Sequence, residues 1–348
     1  MIDKSKRIII KIGTSVLVEN NIKHITDSIK SLKNYECIIV SSGAVSLGNK
    51  ELKATFKHED DIMRNISSSL GQNKLMQLYQ KNIQAGQVLI TKNDLINRSS
   101  FLQIKNVIET MIQNNIIPII NENDTIKSRF NKFRDNDQVA IEIASKLQAD
   151  LLIMLTNVSG VFTSDPDKEN AKVIQELKQE DLKNVKLGKK TNKESTGGMH
   201  TKLEAALSAS KIGIPVIIAN GNEPGVLEKV VKGQKLGTSI KSEENVKSKQ
   251  RWILLTKEQG TFEIDSGAFN ALKKKNSLLA IGVKDVKGNF LSGDVVEIIC
   301  NGKKIAKAIT DLNSDVIGLI KGKKTQDIKK TLKTYNAVSK AENIVILK

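Results

Sequence analysis

Long apolar runs, cysteine, histidine and arginine are all scarce in this 348-residue chain. Apolar runs such as residues 116–120 fall far short of the roughly 18–20 residues a spanning helix needs, so no helical membrane span is expected. Two cysteines, Cys37 and Cys300, stand far apart in apolar contexts. They build neither a disulfide framework nor a metal-ligand spacing, and read as small buried hydrophobes in a reducing compartment. Three histidines supply no Ser-His-Asp arrangement and no zinc constellation. No secretory hydrophobic region follows Met1, and a cytoplasmic protein is expected. There is no internal repeat, no low-complexity tract and no G-x-x-x-x-G-K-[ST] loop. Only six of the 55 basic residues are Arg. The net charge of +17 is therefore mostly a lysine background of A/T-rich coding. One part of it is uneven: residues 251–348 hold 18 basic and 10 acidic residues, a density of excess charge about twice that of the rest.

What is present is a regular alternation. Short β-branched runs occur at residues 7–12, 37–40, 85–89, 116–120, 151–155 and 216–218, separated by helical patterns at 26–32, 99–114, 137–147 and 202–212. Most of the runs lack polar alternation, as strands buried on both faces do. The expected fold is α/β, a mainly parallel open sheet sandwiched by helices. Residues 241–249 are polar and read as a linker. Beyond them, short segments and Gly-bearing turns at 287–289, 292–294 and 301–303 predict a small mostly-β domain.

Polar and glycine-bearing segments gather where strands should end. Lys11, Gly13, Thr14 and Ser15 close the first strand, and ligands of open α/β sheets bind beyond the carboxyl ends of strands. There a Lys can meet a phosphate while Gly admits the backbone closely; a surface Lys before a turn Gly fits the segment equally. Ser41, Ser42, Gly43 and Ala44 follow the second strand, as an open floor or as a helix N-cap. Asn121, Glu122, Asn123 and Asp124 follow the fourth, and Asp135, Asn136 and Asp137 precede a helix that one of those Asp could cap. Two such clusters suit an amino-acid zwitterion, carboxylates taking the ammonium and Asn side chains the carboxylate. The loop after residue 155 carries Thr156 and Asn157 and closes at Asp165-Pro166, long enough to wrap a base or simply to connect. Thr196, Gly197, Gly198, Met199 and Lys202 stand at a helix start, as an anion cradle or as a flexible loop with an N-cap Thr.

In order and spacing these segments resemble the amino-acid kinase superfamily and, within it, the glutamate 5-kinase family. The residues that carry the resemblance are Lys11 to Leu17, Ser41 to Ala44, Asn121 to Asp124, Asp135 to Asp137, Leu155 to Asn157 with Asp165-Pro166, and Thr196 to Met199 with Lys202. Past the linker, Arg251-Trp252-Ile253, Asp265, Gly267-Ala268, Asn276 to Leu279, Gly288 to Phe290, Gly293-Asp294 and Asn313 to Asp315 resemble a PUA domain. The resemblance implies a kinase domain over 1–240, a PUA-like domain over 250–328 and a C-terminal tail over 329–348. It implies transfer of the ATP γ-phosphoryl group to the γ-carboxylate of L-glutamate, the first step of proline biosynthesis. By the same resemblance Lys11 and Lys202 neutralise the moving phosphoryl group and Asp137 orients them. Ser42, Gly43, Ala44, Asp124 and Asn136 hold glutamate; Lys11, Gly13, Thr156, Asn157, Thr196, Gly197, Gly198, Met199 and Lys202 hold ATP. Mg²⁺ rides on the nucleotide with no metal site of the protein's own, proline is a feedback inhibitor, and the protein is a homo-oligomer. Many relatives have Asp where this chain has Asn157. The alternative is an RNA-binding or regulatory protein that uses the PUA domain and keeps a vestigial kinase fold. Aromatics for base stacking are few in that part: Trp252, Phe262, Phe269, Phe290 and Tyr335.

Overall fold

The computed structural model describes residues 6–52, 61–126, 133, 135–164, 168, 170–178, 199–242, 248–256, 258–332 and 334–347. The expected Asp165-Pro166 turn, most of the linker and residues 196–198 of the glycine loop lie outside them. The chain divides into two compact units, Met1–Asn245 and Val246–Lys348. None of the described helices is long and apolar enough to cross a membrane.

The first unit is built on a seven-stranded sheet. Its strands are β1 (Lys6–Ile12), β2 (Tyr35–Ser41), β3 (Ala85–Ile90), β4 (Ile117–Glu122), β5 (Leu151–Thr156), β6 (Val216–Asn220) and β7 (Thr238–Ile240), in the order β3-β4-β2-β1-β5-β6-β7. All neighbours are parallel except β6 and β7. The chain leaves β1 in one direction to β2 and returns on its other side as β5, so the order reverses at β1. That is the switch point where open α/β sheets leave a crevice.

The two-residue period of a strand divides the core in two. Ile8, Ile10 and Ile12 of β1, with Ile39 and Ile153, face α1 (Glu19–Ser31), α3 (Asp61–Gln80) and α8 (Val226–Val231). Ile9, with Ile38, Val40, Ile120, Leu152 and Met154, faces α5 (Arg98–Gln113), α6 (Asn136–Lys146) and α7 (Met199–Lys211). Lys11 shares the parity of Ile9. Its side chain is thereby committed to the α6 and α7 side before any polar contact is considered.

On the other face one helix buries small and polar residues along part of its length and exposes apolar ones. α3 turns Ser67, Ser68, Gly71 and Gln72 inward, followed by Leu75, Met76 and Tyr79, and leaves Ile62, Ile66 and Leu70 exposed. The cause is its partner, α2 (Ala44–Leu52), which it meets backbone to backbone. A Cβ on Gly48 would stand 1.7 Å from the Ser67 carbonyl oxygen, and one on Gly71 1.8 Å from that of Ala44. Small residues are what permit this approach, so hydrophobic periodicity fails as a signal here.

The second unit has a five-stranded sheet with its own core. Its elements are α9 (Ser248–Leu255), β8 (Gly260–Ile264), α10 (Ser266–Lys273), β9 (Val283–Gly288), β10 (Val295–Cys300), β11 (Lys303–Ile309), α11 (Ser314–Ile320), α12 (Thr325–Thr331) and β12 (Ile344–Ile346). The sheet order is β12-β11-β10-β8-β9. The Asn301-Gly302 turn joins β10 to β11 with both residues at positive φ, the conformation a tight hairpin needs. Within the expected C-terminal tail, 329–348, Tyr335 and Val338 are core residues and β12 forms the sheet edge.

Gly71→Ala is expected to destabilise the chain by about 1–3 kcal/mol, because the added methyl must push α2 and α3 apart. A thermal melt checks it; an unchanged midpoint would refute the backbone-contact reading.

Candidate active site

Each candidate residue described lies at the carboxyl end of a strand or in the first turn of the helix beyond it. Lys11 and Gly13 close β1, Ser42 and Gly43 follow β2, Asn121 ends β4 with Asp124 just after it, and Thr156 ends β5. Ala44 opens α2, Asn136 and Asp137 open α6, and Met199 and Lys202 lie in the first turn of α7.

Three charges meet at the centre. Lys11 Nζ lies 2.5 Å from Asp137 Oδ1, and Lys202 Nζ donates to Asp137 Oδ2 at 2.9 Å. The Lys11 and Asp137 side chains are 5% and 2% exposed, and that of Lys202 13%. Asp137 is free for this because its neighbour does the capping: Asp135 Oδ1 accepts from the Asp137 and Gln138 backbone N–H groups. Burial alone would raise the Asp137 carboxyl, but the two ammonium groups outweigh it and hold it down at about 2. Burial pushes Lys11 down, Asp137 resists, and the Lys202 charge adds to the depression, which ends at about 8. Lys202, though also penalised by burial, is raised by its bond to Asp137. Among the described residues two buried ammonium groups share this one buried carboxylate, and Asp135 is a further anion acting on Lys202.

Backbone shapes the floor of the site. Gly13 donates to Leu155 O at 3.3 Å, joining β1 to β5, and a Cβ there would come within 3.9 Å of Lys11 Nζ. Gly43 has φ +100°, and a Cβ on it would strike Leu17 Cδ1 at 2.0 Å. The Ser41 hydroxyl pairs with Tyr79 Oη at 2.8 Å, and the Ser42 hydroxyl accepts from Asn136 Nδ2 at 3.2 Å.

The Asn-Glu-Asn-Asp segment is divided among several tasks. Asn121 Oδ1 accepts from Asn136 Nδ2 at 2.9 Å and from the Glu122 N–H. Glu122 Oε1 accepts from Phe133 N–H, and so anchors the approach to α6. Asp124 is buried with Arg64 of α3 3.9 Å away. Thr156 is buried at the end of β5, whereas Asn157 is exposed. Thr196, Gly197 and Gly198 lie outside the described residues. Residues of α3, namely Arg64, Gln72 and Tyr79, reach this region with no motif to mark them.

The lysine pair on a shared carboxylate thus stands beside glycine backbone at the switch point of an open α/β sheet. The family described as "Amino acid kinase family" matches residues 6–220, and the PUA domain matches residues 260–332. The glutamate 5-kinase of Methanosarcina barkeri is 37% identical, the alignment covering 98% of this chain and 96% of that protein. That of Dictyoglomus thermophilum is 35% identical, covering 98% of each. That of Photorhabdus laumondii is 34% identical, covering 97% and 98%. The chain belongs to the amino acid kinase family and, within it, to the glutamate 5-kinases.

Asp137→Asn should leave two buried ammonium groups without their counter-charge and destabilise the protein by about 3–5 kcal/mol at pH 7. The loss arises because the folded state holds a lysine proton less tightly than the unfolded one. It should therefore shrink as pH rises towards the unfolded lysine pKa of about 10.4. Denaturant melts at pH 7 and 9.5 check both the size and the trend.

Proposed function

We propose that the first unit transfers the γ-phosphoryl group of ATP to the γ-carboxylate of L-glutamate, giving ADP and L-glutamyl 5-phosphate. The observation that carries this reading is the buried Lys11–Asp137–Lys202 cluster at the sheet's switch point. A carboxylate oxygen attacks the γ-phosphorus, a P–O bond forms, and the bond to the β-phosphate oxygen breaks. The nucleophile is ionised at pH 7, so no general base is required. Lys11 and Lys202 neutralise charge on the moving phosphoryl group from two sides, and Asp137 keeps both in place. Fixed charges of this kind contribute of order 10²–10³ in rate each. The Gly43 backbone N–H faces the phosphoryl oxygens; the Gly13 N–H is spent on Leu155 O, so Gly13 contributes the close approach of its backbone instead. Ser42, Ala44, Asp124 and Asn136 hold glutamate, while Thr156, Asn157 and residues 196–202 hold the nucleotide.

Mg²⁺ fits as a partner of the nucleotide rather than of the protein. Among the described residues no cluster of three or more His, Cys, Asp or Glu could cage an ion. The buried Asp137 is already matched by two lysines. Mg²⁺ commonly binds through substrate phosphates, where it offsets their charge; no step here is assigned to it. Residues 1–240 serve as the kinase domain and 250–328 as the PUA-like domain, in a cytoplasmic homo-oligomer inhibited by proline. The oligomeric state and proline inhibition rest on family resemblance alone. An RNA partner for the second unit has less support: Phe262, Phe290 and Tyr335 are buried in its core and unavailable for stacking.

The direct test is hydroxamate formation from L-glutamate, ATP and hydroxylamine with Mg²⁺. None from pure protein, while a relative works in parallel, would sink the proposal. Lys202→Ala should lower kcat about 10²- to 10³-fold with the circular dichroism spectrum kept, and a kcat within twofold of the parent would refute its role. Lys11 is cationic below about 8 and loses its charge above that. kcat/KM for ATP should accordingly fall as pH rises past about 8. kcat should hold to higher pH, since bound phosphate favours the cation. A kcat/KM profile flat to pH 10 would contradict the assignment.

A further inference from the structure

We infer that Gln72 of α3 is a positioning residue for the ammonium group of the amino-acid substrate, acting through a chain of three carboxamides, Gln72, Asn121 and Asn136. The inference rests on the kinase reading above and assigns a residue no motif marks.

Two backbone groups fix the direction of the whole chain. Asn136 Nδ2 donates to the Ser41 carbonyl oxygen at 3.0 Å, an atom that can only accept. The Glu122 N–H, which can only donate, bonds Asn121 Oδ1 at 2.9 Å. Asn136 Nδ2 also donates to that same oxygen at 2.9 Å. Asn121 must then turn its Nδ2 the other way, where it donates to Gln72 Oε1 at 3.2 Å. Every amide orientation follows from donor and acceptor chemistry.

At the substrate end, Asn136 Nδ2 meets three protein acceptors within 3.2 Å, Ser41 O, Ser42 Oγ and Asn121 Oδ1, for its two protons. The donor side of this half-buried amide is used up, and its Oδ1 is what faces a ligand. That reverses the polarity expected from sequence, in which Asn side chains take the substrate carboxylate. An acceptor suits the α-ammonium, and Asp124 nearby has the same preference. At the far end, Gln72 is 6% exposed, and its Nε2 is buried with no partner among the described residues. A buried donor left unpaired is costly. The bond accepted by Oε1 is thus the polar interaction that holds this side chain in place. Without that acceptor Asn121 Nδ2 becomes a buried donor left unpaired, and a shift of that amide towards another acceptor displaces the Oδ1 that Asn136 Nδ2 bonds.

The test uses the full chain and the hydroxamate assay. Gln72→Met keeps the volume and removes the acceptor; Gln72→Glu keeps an oxygen towards Asn121 in either protonation state. Gln72→Met should raise KM for L-glutamate about 10- to 100-fold, the range for a lost hydrogen bond to a charged group. KM for ATP should stay within about twofold. Gln72→Glu should restore KM for L-glutamate to within about threefold of the parent. Gln72→Leu serves if the Met variant does not fold. An unchanged KM for L-glutamate in the Met or Leu variant overturns the inference. So does a rise in both KM values together, or an equal loss in the Glu variant, because each denies a directional role for the acceptor. A parent chain that makes no hydroxamate is a separate result, which removes the kinase reading itself.

Discussion

Two lysines share one buried carboxylate, and much of the first unit exists to make that arrangement tolerable. Ions are expensive to bury singly, and even paired ones rarely repay their desolvation. Here Asp137 is stabilised by both ammonium groups, while Lys11 bears the strain and is pushed down to about 8. In the proposed reaction an ATP phosphate brings its negative charge to these two lysines, where the strand order reverses. The division between Asp135 and Asp137 serves the same end. One carboxylate satisfies the free N–H groups of α6, leaving the next to face the lysines.

Around this centre, orientation is set by groups that cannot be misread. The Ser41 carbonyl and the Glu122 N–H are fixed parts of β2 and β4, and they dictate how three side-chain amides point. Rigid strands thereby determine which atoms a substrate meets. α3 approaches closely enough to join the chain only because Gly48 and Gly71 let it lie against α2. The glycine contacts are remote from the chemistry, yet they decide where Gln72 and Arg64 stand.

The second unit has a separate physical logic. It is a mixed sheet around Phe262 and Phe290, whose rings meet edge to face at 5.6 Å. Several of its lysines are engaged locally. Lys307 donates to the Leu254 and Thr256 carbonyl oxygens at the end of α9, and Lys304 pairs with Glu258 and Glu297. Part of the basic excess of residues 251–348 is therefore structural.

The amino-acid sequence by itself determined the α/β class, the central strands and the groups that gather at strand ends. Uninterrupted β-branched runs and polar clusters right behind them are local signals, and they marked Lys11, Lys202 and the Asp135–Asp137 segment, while the place of Asp137 between the lysines came from the resemblance alone. The chain's membership of a family rested on the order of those same segments. Sequence did not show α3 as a helix, because its inward face is Ser, Gly and Gln packed on backbone, and periodicity registers only apolar burial. Nor could it show which of Asp135 and Asp137 caps the helix, or that Asn136 spends its donors on protein. Those outcomes depend on contacts between residues as far apart as Gln72 and Asn121, or Ser41 and Asn136. Donor, acceptor and charge are assigned by what lies opposite in space, and only the tertiary structure decides that.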